Sequence, residues 1–147
     1  MDKILIEKAR ISRNATSCCF ILADIDHFKK INDQYGHDFG DCVLKQLSDI
    51  LRGSLRSQDY VCRWGGEEFL MVLPDTNIAG ATVAAEKLRQ KVENSPFSLE
   101  KAQIKVTLTM GIALYDSLED VTVSVHHVDT LSFTGERKNG RNRVEVA

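Results

Sequence analysis

The hydrophobic residues in the first half of the 147-residue chain follow two different spacings. A continuous apolar run, CCFILAD at 18–24, stops at an aspartate, which is typical of a buried central strand. Between 43 and 55 the apolar residues instead recur at steps of three and four. This spacing predicts an amphipathic helix from about Asp41 to Arg56.

Glycines and a proline mark the connections around these two elements. The mixed stretch that precedes the helix predicts a short helix and a loop that closes on Gly36 and Gly40. Further along, YVCRW and FLMVLP predict two strands, and Pro74 ends the second one. The GGEE between them predicts a hairpin turn with glycines where a positive φ is needed.

Two further elements are predicted downstream. The alanine-rich stretch 76–94 predicts a helix with Asn77 or Thr76 as its N-cap. The stretch 104–115, IKVTLTMGIALY, alternates apolar and polar residues and predicts a half-buried strand. At the start of the chain, 1–14 is typical of an amphipathic helix, and the region 118–128 favours a helix only weakly.

The predicted order is β-α-β-β-α-β, the split β-α-β arrangement of ferredoxin-like folds. We therefore expect an α/β (α+β) fold with a central, mostly antiparallel sheet flanked by helices, similar to nucleotide cyclase and polymerase palm domains. Residues 1–147 contain neither a linker nor a repeat, so one domain is predicted. In this arrangement the first strand lies beside the hairpin, which brings Asp24 to the turn that carries Glu67 and Glu68.

Composition and charge argue against several classes of function. With 43% hydrophobic and 27% charged residues, the chain suits one domain with an ordinary core. The net charge of -2 gives no basic excess for nucleic-acid binding, and no apolar run is long enough to span a membrane. The four cysteines lack C-x-x-C spacing, which favours buried free thiols in a reducing cytoplasm over disulfides or a metal site.

The carboxylates at the predicted turn point to a cation. If Asp24, Glu67 and Glu68 lie close together, their like charges repel, and such an arrangement normally needs a metal ion. Oxygen ligands on a shallow site favour Mg²⁺ or Mn²⁺, with water and substrate phosphates completing the shell. The alternative is a solvated turn without metal, which GGEE alone would favour. The aspartate at the end of an apolar strand favours the metal.

Five motifs together resemble the GGDEF domain of bacterial diguanylate cyclases, here in the form GGEEF at 65–69. They occur in the family's order and spacing and cover the chain from about residue 15 onward. The motifs are DIDHFKKIND at 24–33, GHDFGD at 36–41, RWGGEEF at 63–69, TLTMGIA at 107–113 and NGRNRV at 139–144.

The resemblance implies an enzyme that joins two GTP molecules into cyclic di-GMP and releases two pyrophosphates. The family's chemistry is a metal-assisted attack of a ribose 3′-hydroxyl on an α-phosphate, with two Mg²⁺ or Mn²⁺ ions per active site. By position, Asp24 and Glu67 match metal ligands, assisted by the carbonyl oxygen of Ile25. Glu68 matches either a further ligand or the base on the 3′-hydroxyl, and the sequence leaves both roles open.

The resemblance also implies a guanine pocket. Gly65 and Gly66 would let the nucleotide lie against the backbone. Asn32 and Asp41 match the pair that reads guanine, through a carboxylate that accepts from the base and an amide beside it. Without the family, Asn32 is equally well a helix-end or turn residue and Asp41 a helix N-cap.

Phosphate contacts are implied at both ends of the motif set. His27, Phe28 and Lys29 match a loop that offers backbone N–H groups and a lysine charge to the β- and γ-phosphates. Near the C-terminus, the segment 128–142 departs from the family pattern and displaces its lysine. The remaining GTP-binding candidates are therefore His37, Arg137, Lys138 and Arg141.

A second site is implied upstream of the glycine pair. Arg56 and Asp59 form an R-x-x-D whose offset from GGEEF resembles the family's inhibitory site for cyclic di-GMP. Lys87 or Arg89 on the following helix could supply a further cation.

Three interpretations of function stay open. The leading one is an active cyclase that works as a homodimer, because the product has two equivalent halves. It would be part of a longer signalling protein with sensor or regulatory domains, since the family's usual N-terminal motif is absent. The second is a degenerate module that binds GTP or cyclic di-GMP and regulates a partner without turnover. The third, a palm-like enzyme acting on nucleic acid, is disfavoured by the net charge of -2.

Overall fold

The computed structural model describes residues 17–115 and 140–146. Within them a five-stranded sheet has the order β2-β3-β1-β6-β7, and a separate two-stranded sheet pairs β4 with β5. The strands are β1 (Cys18–Ile25), β2 (Tyr60–Arg63), β3 (Glu68–Pro74), β4 (Pro96–Leu99), β5 (Ala102–Lys105), β6 (Leu108–Tyr115) and β7 (Val144–Val146). The helices are α1 (Phe28–Tyr35), α2 (His37–Ser54) and α3 (Ile78–Glu93).

The predicted fold class is confirmed. β1 pairs antiparallel with both β3 and β6, and β2 pairs antiparallel with β3. Among the strands of the described residues, only β7 joins the sheet in parallel, beside β6. The helices predicted at 1–14 and 118–128 lie outside the described residues, as do Arg137 and Lys138. Within the described ranges, no helix is long and apolar enough to cross a membrane.

The continuous apolar run of β1 is explained by burial of both its faces. On one face, Ile21 and Ala23 pack in a core with Leu47 of α2 and Ala85 of α3. On the other face, Phe20 packs in a second cluster with residues of β3. Because both faces are buried, β1 lies at the centre of the fold, and packing fixes the position of its C-terminal end.

The long helix begins earlier than the apolar spacing predicts. Gly36 adopts a φ of 93° and separates α1 from α2, and its N–H donates to the carbonyl of Asn32 at 2.8 Å. α2 then starts at His37, so the predicted loop closure at Gly40 and the N-cap role of Asp41 are both wrong. Gly36 alone separates the two helices, because a single residue with a positive φ is enough to redirect the chain.

The last predicted strand is also different in detail. Residues 104–105 belong to the unpredicted β4–β5 hairpin, and β6 begins only at Leu108. Residues 108–113 of β6 are buried on both faces, including the polar position Thr109, whereas Leu114 is exposed. The expectation of a half-buried strand is therefore wrong. Asn77, by contrast, does cap α3, since its Oδ1 accepts from the N–H of Gly80 at 2.8 Å.

All four cysteines are free thiols, as predicted. Cys18 and Cys19 are fully buried, whereas Cys42 and Cys62 are only partly buried, so the prediction of burial holds for the β1 pair alone. Burial raises the pKa of the Cys19 thiol to about 11, and its Sγ donates to the carbonyl of Thr76 at 3.2 Å.

Candidate active site

The end of β1 meets the start of β3, as the predicted topology requires. Asp24 is the register partner of Glu68, and the N–H of Ile25 donates to the carbonyl of Glu67 at 3.2 Å. The N–H of Trp64 donates to the carbonyl of Glu68 at 2.8 Å across the turn. The backbone therefore brings Asp24 and both glutamates to the same edge of the sheet.

The glycine pair does not have the positive φ angles predicted for the turn. Within the described residues, positive φ angles at glycine occur at Gly36 and Gly140, so the turn at 65–66 does not need one. A Cβ on Gly65 would lie 3.2 Å from Oε1 of Glu68, whereas a Cβ on Gly66 would meet nothing within 4 Å. Gly65 thus leaves space for the Glu68 carboxylate, and Gly66 leaves an open surface.

Arg63 supports this turn and was not predicted. Its Nε donates to the carbonyl of Gly65 at 3.2 Å and its Nη2 donates to the carbonyl of Gly66 at 2.7 Å. One guanidinium therefore binds both glycine carbonyls and fixes the turn. The arginine directly before WGGEEF could have indicated this role, because a planar guanidinium can donate to two carbonyls at once.

The expected crowding of three carboxylates is wrong. In the part of the chain that the structure describes, no three His, Cys, Asp or Glu side chains lie close enough together to hold a metal ion. The register places Glu68, rather than Glu67, directly opposite Asp24. The donors still fit Mg²⁺, which is usually held by one or two protein carboxylates together with substrate phosphates. All the available atoms are oxygens, the donor type that this cation prefers.

The guanine candidates lie on two different helices. Asn32 is half-buried on α1, and its Oδ1 is a buried oxygen without a hydrogen-bond partner among the described residues. Asp41 is exposed in the second turn of α2 and lines a cavity of about 510 Å³ together with Leu44 and Phe69. An unpaired buried oxygen is costly, so a donor from a ligand would be stabilising at Asn32.

The phosphate candidates lie at helix starts. His27 precedes α1 with a φ of 57°, and none of its side-chain atoms caps the helix. Phe28 is buried, while Lys29 and His37 are exposed. The first N–H groups of α1 therefore have no capping side chain at His27. In the sequence, α1 begins shortly after the end of β1.

Asp26 lies within the DIDHFKKIND motif and has no role in the sequence-based prediction, yet it is buried, with 4% of its surface exposed. Its carboxylate accepts from Oγ1 of Thr107 at 2.7 Å, from Oγ1 of Thr109 at 2.6 Å and from the N–H of Asn142 at 2.9 Å. The last of these bonds ties residues 140–142 to the end of β1 and so fixes the backbone next to Arg141.

The second site forms a cavity of about 620 Å³ between α2, β3 and α3. Arg56, Asp59 and Lys87 line this Arg56 cavity. The Arg56 guanidinium donates to Asp59 through Nη2 at 2.9 Å and to Oγ1 of Thr76 at 2.7 Å. The hydrogen bond with Asp59 raises the pKa of Arg56 above its usual value.

Arg89 is not part of this cavity's lining. Its Nε donates to Glu86 at 2.8 Å and its Nη1 donates to Oδ1 of Asn142 at 2.9 Å. The structure therefore brings Lys87, and not Arg89, together with Arg56. Arg89 instead supports the NGRN segment from α3.

Comparison with known proteins gives a consistent result. The sequence profile described as diguanylate cyclase, GGDEF domain, matches residues 2–143. Diguanylate cyclase A of Treponema denticola is 37% identical over 128 residues, which are 86% of this chain and 34% of that protein. Among the first relatives found by sequence, this chain spans between 22% and 34% of each protein's length.

Two solved structures are similar over nearly the whole chain. Diguanylate cyclase SiaD of Pseudomonas aeruginosa, in complex with its activator SiaC, has a TM-score of 0.94 at 31% identity. That match covers 99% of this chain and 56% of SiaD. The GGDEF domain of DgcB from Caulobacter crescentus, in complex with c-di-GMP, has a TM-score of 0.91 at 26% identity. It covers 99% of this chain and 86% of the DgcB chain.

Proposed function

The chain belongs to the GGDEF domain family of diguanylate cyclases, and from this premise we propose that it condenses two GTP molecules into cyclic di-GMP and two pyrophosphates. The observation that carries the proposal is the buried Oδ1 of Asn32. This oxygen has no partner among the described residues, and Asp41 lies in the adjoining α2. Guanine offers N–H donors on its Watson–Crick edge that both groups can accept.

The guanine-reading roles follow from hydrogen-bond chemistry. The Asp41 carboxylate accepts from N1–H and the exocyclic amine, while the Asn32 amide pairs with the same base. Adenine has an acceptor where guanine carries N1–H, so it leaves these groups unpaired. Discrimination of this kind is steep where the group left unpaired is buried, as Oδ1 of Asn32 is.

The metal site uses the end of β1 and the turn. Asp24, Glu67 and the carbonyl oxygen of Ile25 would hold Mg²⁺ or Mn²⁺, two ions per active site, with Glu68 as a further ligand or as the base on the 3′-hydroxyl. When bound, such ions lower the pKa of the attacking hydroxyl and neutralise charge on the phosphates. Arg63 keeps the turn in place by binding both glycine carbonyls.

The phosphate chain is held from two directions. The backbone at His27 and Phe28 offers N–H groups at the start of α1, and Lys29 and His37 add side-chain donors. Arg141 reaches from the NGRN segment that Asp26 anchors. Arg137 and Lys138 complete the proposed set.

The reaction requires two copies of the chain. Each half-site holds one GTP, and each 3′-hydroxyl attacks the α-phosphate of the other nucleotide, so catalysis takes place in a homodimer. Cyclic di-GMP then inhibits by binding at the Arg56 cavity. In this proposal Arg56 binds guanine and phosphate, Asp59 orients the guanine, and Lys87 adds a further positive charge.

The experiment is incubation of the concentrated chain with GTP and Mg²⁺, then Mn²⁺, followed by mass spectrometry of the products. The Arg56→Ala variant runs in parallel to remove product inhibition, and Glu67→Ala is the negative control. Cyclic di-GMP from the chain or from Arg56→Ala, abolished by Glu67→Ala, supports the proposal. A dimer that binds GTP and forms no product contradicts it.

One observation favours a second candidate, a cyclic di-GMP receptor without turnover. The Arg56–Asp59 pair is already assembled, with Asp59 accepting from Arg56 at 2.9 Å. A receptor would bind cyclic di-GMP at this cavity while giving no product in the same assay. The turnover measurement therefore separates the two candidates.

A further inference from the structure

We propose that Gly40 determines base selectivity, because its missing side chain leaves the space that the Asn32 amide occupies. The inference rests on the proposed role of Asn32 in reading guanine. It adds to the site a residue that contacts no nucleotide and acts by positioning another side chain.

The geometry at Gly40 is unusually close. A Cβ added there would lie 1.8 Å from Oδ1 of Asn32 and 2.9 Å from its Cγ. It would lie 3.3 Å from Cζ of Phe28, a distance that a small shift relieves. The amide of Asn32 would therefore have to leave its place, whereas the backbones of α1 and α2 could stay.

Backbone conformation does not explain a glycine at this position. Gly40 lies inside α2, and its φ is not in the left-handed region. Glycine within a helix is destabilising relative to alanine, so alanine would be the more stable choice if space allowed. Gly53 lies in the same helix with nothing within 4 Å of its added Cβ, which makes it the matched control.

The state of the Asn32 side chain supports a role in binding. Its Oδ1 is buried and has no partner among the described residues, so this oxygen is not held there by an internal hydrogen bond. The space left by Gly40 instead lets this oxygen lie against α2, at the residue that precedes Asp41. Selectivity would then depend on the glycine as strongly as on the amide.

The test compares the wild type with Gly40→Ala, Asn32→Ala, their double variant and Gly53→Ala. Dissociation constants are measured for the α,β-methylene analogues of GTP and ATP, which cannot release pyrophosphate. We expect Gly40→Ala to reduce the preference for the GTP analogue about tenfold or more, as Asn32→Ala does. The double variant should lose no more than either single variant, and Gly53→Ala should match the wild type.

Thermal unfolding provides a readout that needs no ligand. Gly53→Ala should raise the melting temperature by about 2–4 °C. Gly40→Ala should gain clearly more in the Asn32→Ala background than in the wild type, because the clash is then absent. Suppose that Asn32→Ala loses selectivity as expected. The inference would then be overturned if Gly40→Ala kept full selectivity, or if the effects of the two substitutions were additive. If Asn32→Ala kept the wild-type preference, the proposed guanine role itself would fail, and the inference with it.

Discussion

The Arg56 cavity and the pair formed by Asn32 and Asp41 differ in how far their polar groups are already satisfied. In the cavity, Arg56 donates to Asp59, to the carbonyl of Pro74 and to Thr76, and only 3% of the Asp59 side chain is exposed. At the other site, Oδ1 of Asn32 is buried and has no partner among the described residues.

This difference teaches what each site needs from a ligand. A site whose polar groups bind one another keeps its shape when empty, and a ligand adds contacts to an existing frame. A site with an unpaired buried oxygen gains most from a ligand that donates to it. We therefore expect the Arg56 cavity to contribute to fold stability and the Asn32 site to contribute mainly to recognition.

The largest expected effect is on turnover alone. Asp24→Ala removes a carboxylate from the end of β1, and we expect cyclic di-GMP synthesis to fall by about 1,000-fold or more, since a proposed metal ligand is lost. Binding of cyclic di-GMP at the Arg56 cavity should be unchanged. Mass spectrometry of product and calorimetric titration of cyclic di-GMP measure the two quantities. A parallel loss of both would mean that the two sites are not independent.

Asp59→Ala should weaken binding of cyclic di-GMP without reducing synthesis, the reverse of what we expect for Asp24→Ala. It leaves the Arg56 guanidinium without its main partner, so affinity for cyclic di-GMP should fall roughly 30-fold. Synthesis at high product concentration should then rise rather than fall. The check is an inhibition curve with added cyclic di-GMP, with Lys91→Ala, another residue that lines the same cavity, as a comparison. Unchanged inhibition would remove the cavity from the regulatory proposal.

Asp26→Asn tests the support beneath the active site. The amide cannot accept all the bonds that reach the carboxylate from Thr107, Thr109 and Asn142, so about 2–3 kcal/mol of the free energy of unfolding should be lost. Affinity for GTP should fall, because Arg141 directly precedes the anchored Asn142, while affinity for cyclic di-GMP should be unchanged. Urea unfolding and both titrations measure this. A variant as stable as the wild type would show that the segment is held elsewhere.

The smallest effect is expected outside both sites. Arg89 lowers the pKa of Glu86 through a hydrogen bond, so this carboxylate stabilises the fold above its unfolded pKa and loses that contribution as the pH falls through the folded pKa. Because 42% of the Glu86 side chain is exposed, Glu86→Gln should cost only a few tenths of a kcal/mol at pH 7. The difference in stability from the wild type should vanish in acid. Thermal unfolding of both proteins at several pH values would measure this change. A constant difference would exclude this titration.

Much of the frame could be predicted because hydrophobic spacing reports burial. The run at 18–24 gave a strand buried on both faces, and the split topology brought Asp24 to Glu68. The start of α2 was missed because Phe39, before the periodic stretch, is apolar but isolated, while the glycines around it suggested a loop.

The supporting contacts could not be predicted because they join residues far apart in the chain. Asp26 reaches Asn142 across 116 positions, and nothing in local spacing indicates that pairing. The close approach of Gly40 to Asn32 depends on how two helices pack, which a one-dimensional pattern does not contain. The role of Arg63 could not be predicted either, because its partners are main-chain carbonyls.

The most direct test of two separate sites is a crossed titration. GTP, as its α,β-methylene analogue, and cyclic di-GMP are each titrated into the wild type, Asn32→Ala and Arg56→Ala. We predict that Asn32→Ala loses affinity for the GTP analogue and keeps cyclic di-GMP, and that Arg56→Ala does the reverse. If either substitution weakened both ligands equally, the division of labour between the Asn32 site and the Arg56 cavity would be contradicted.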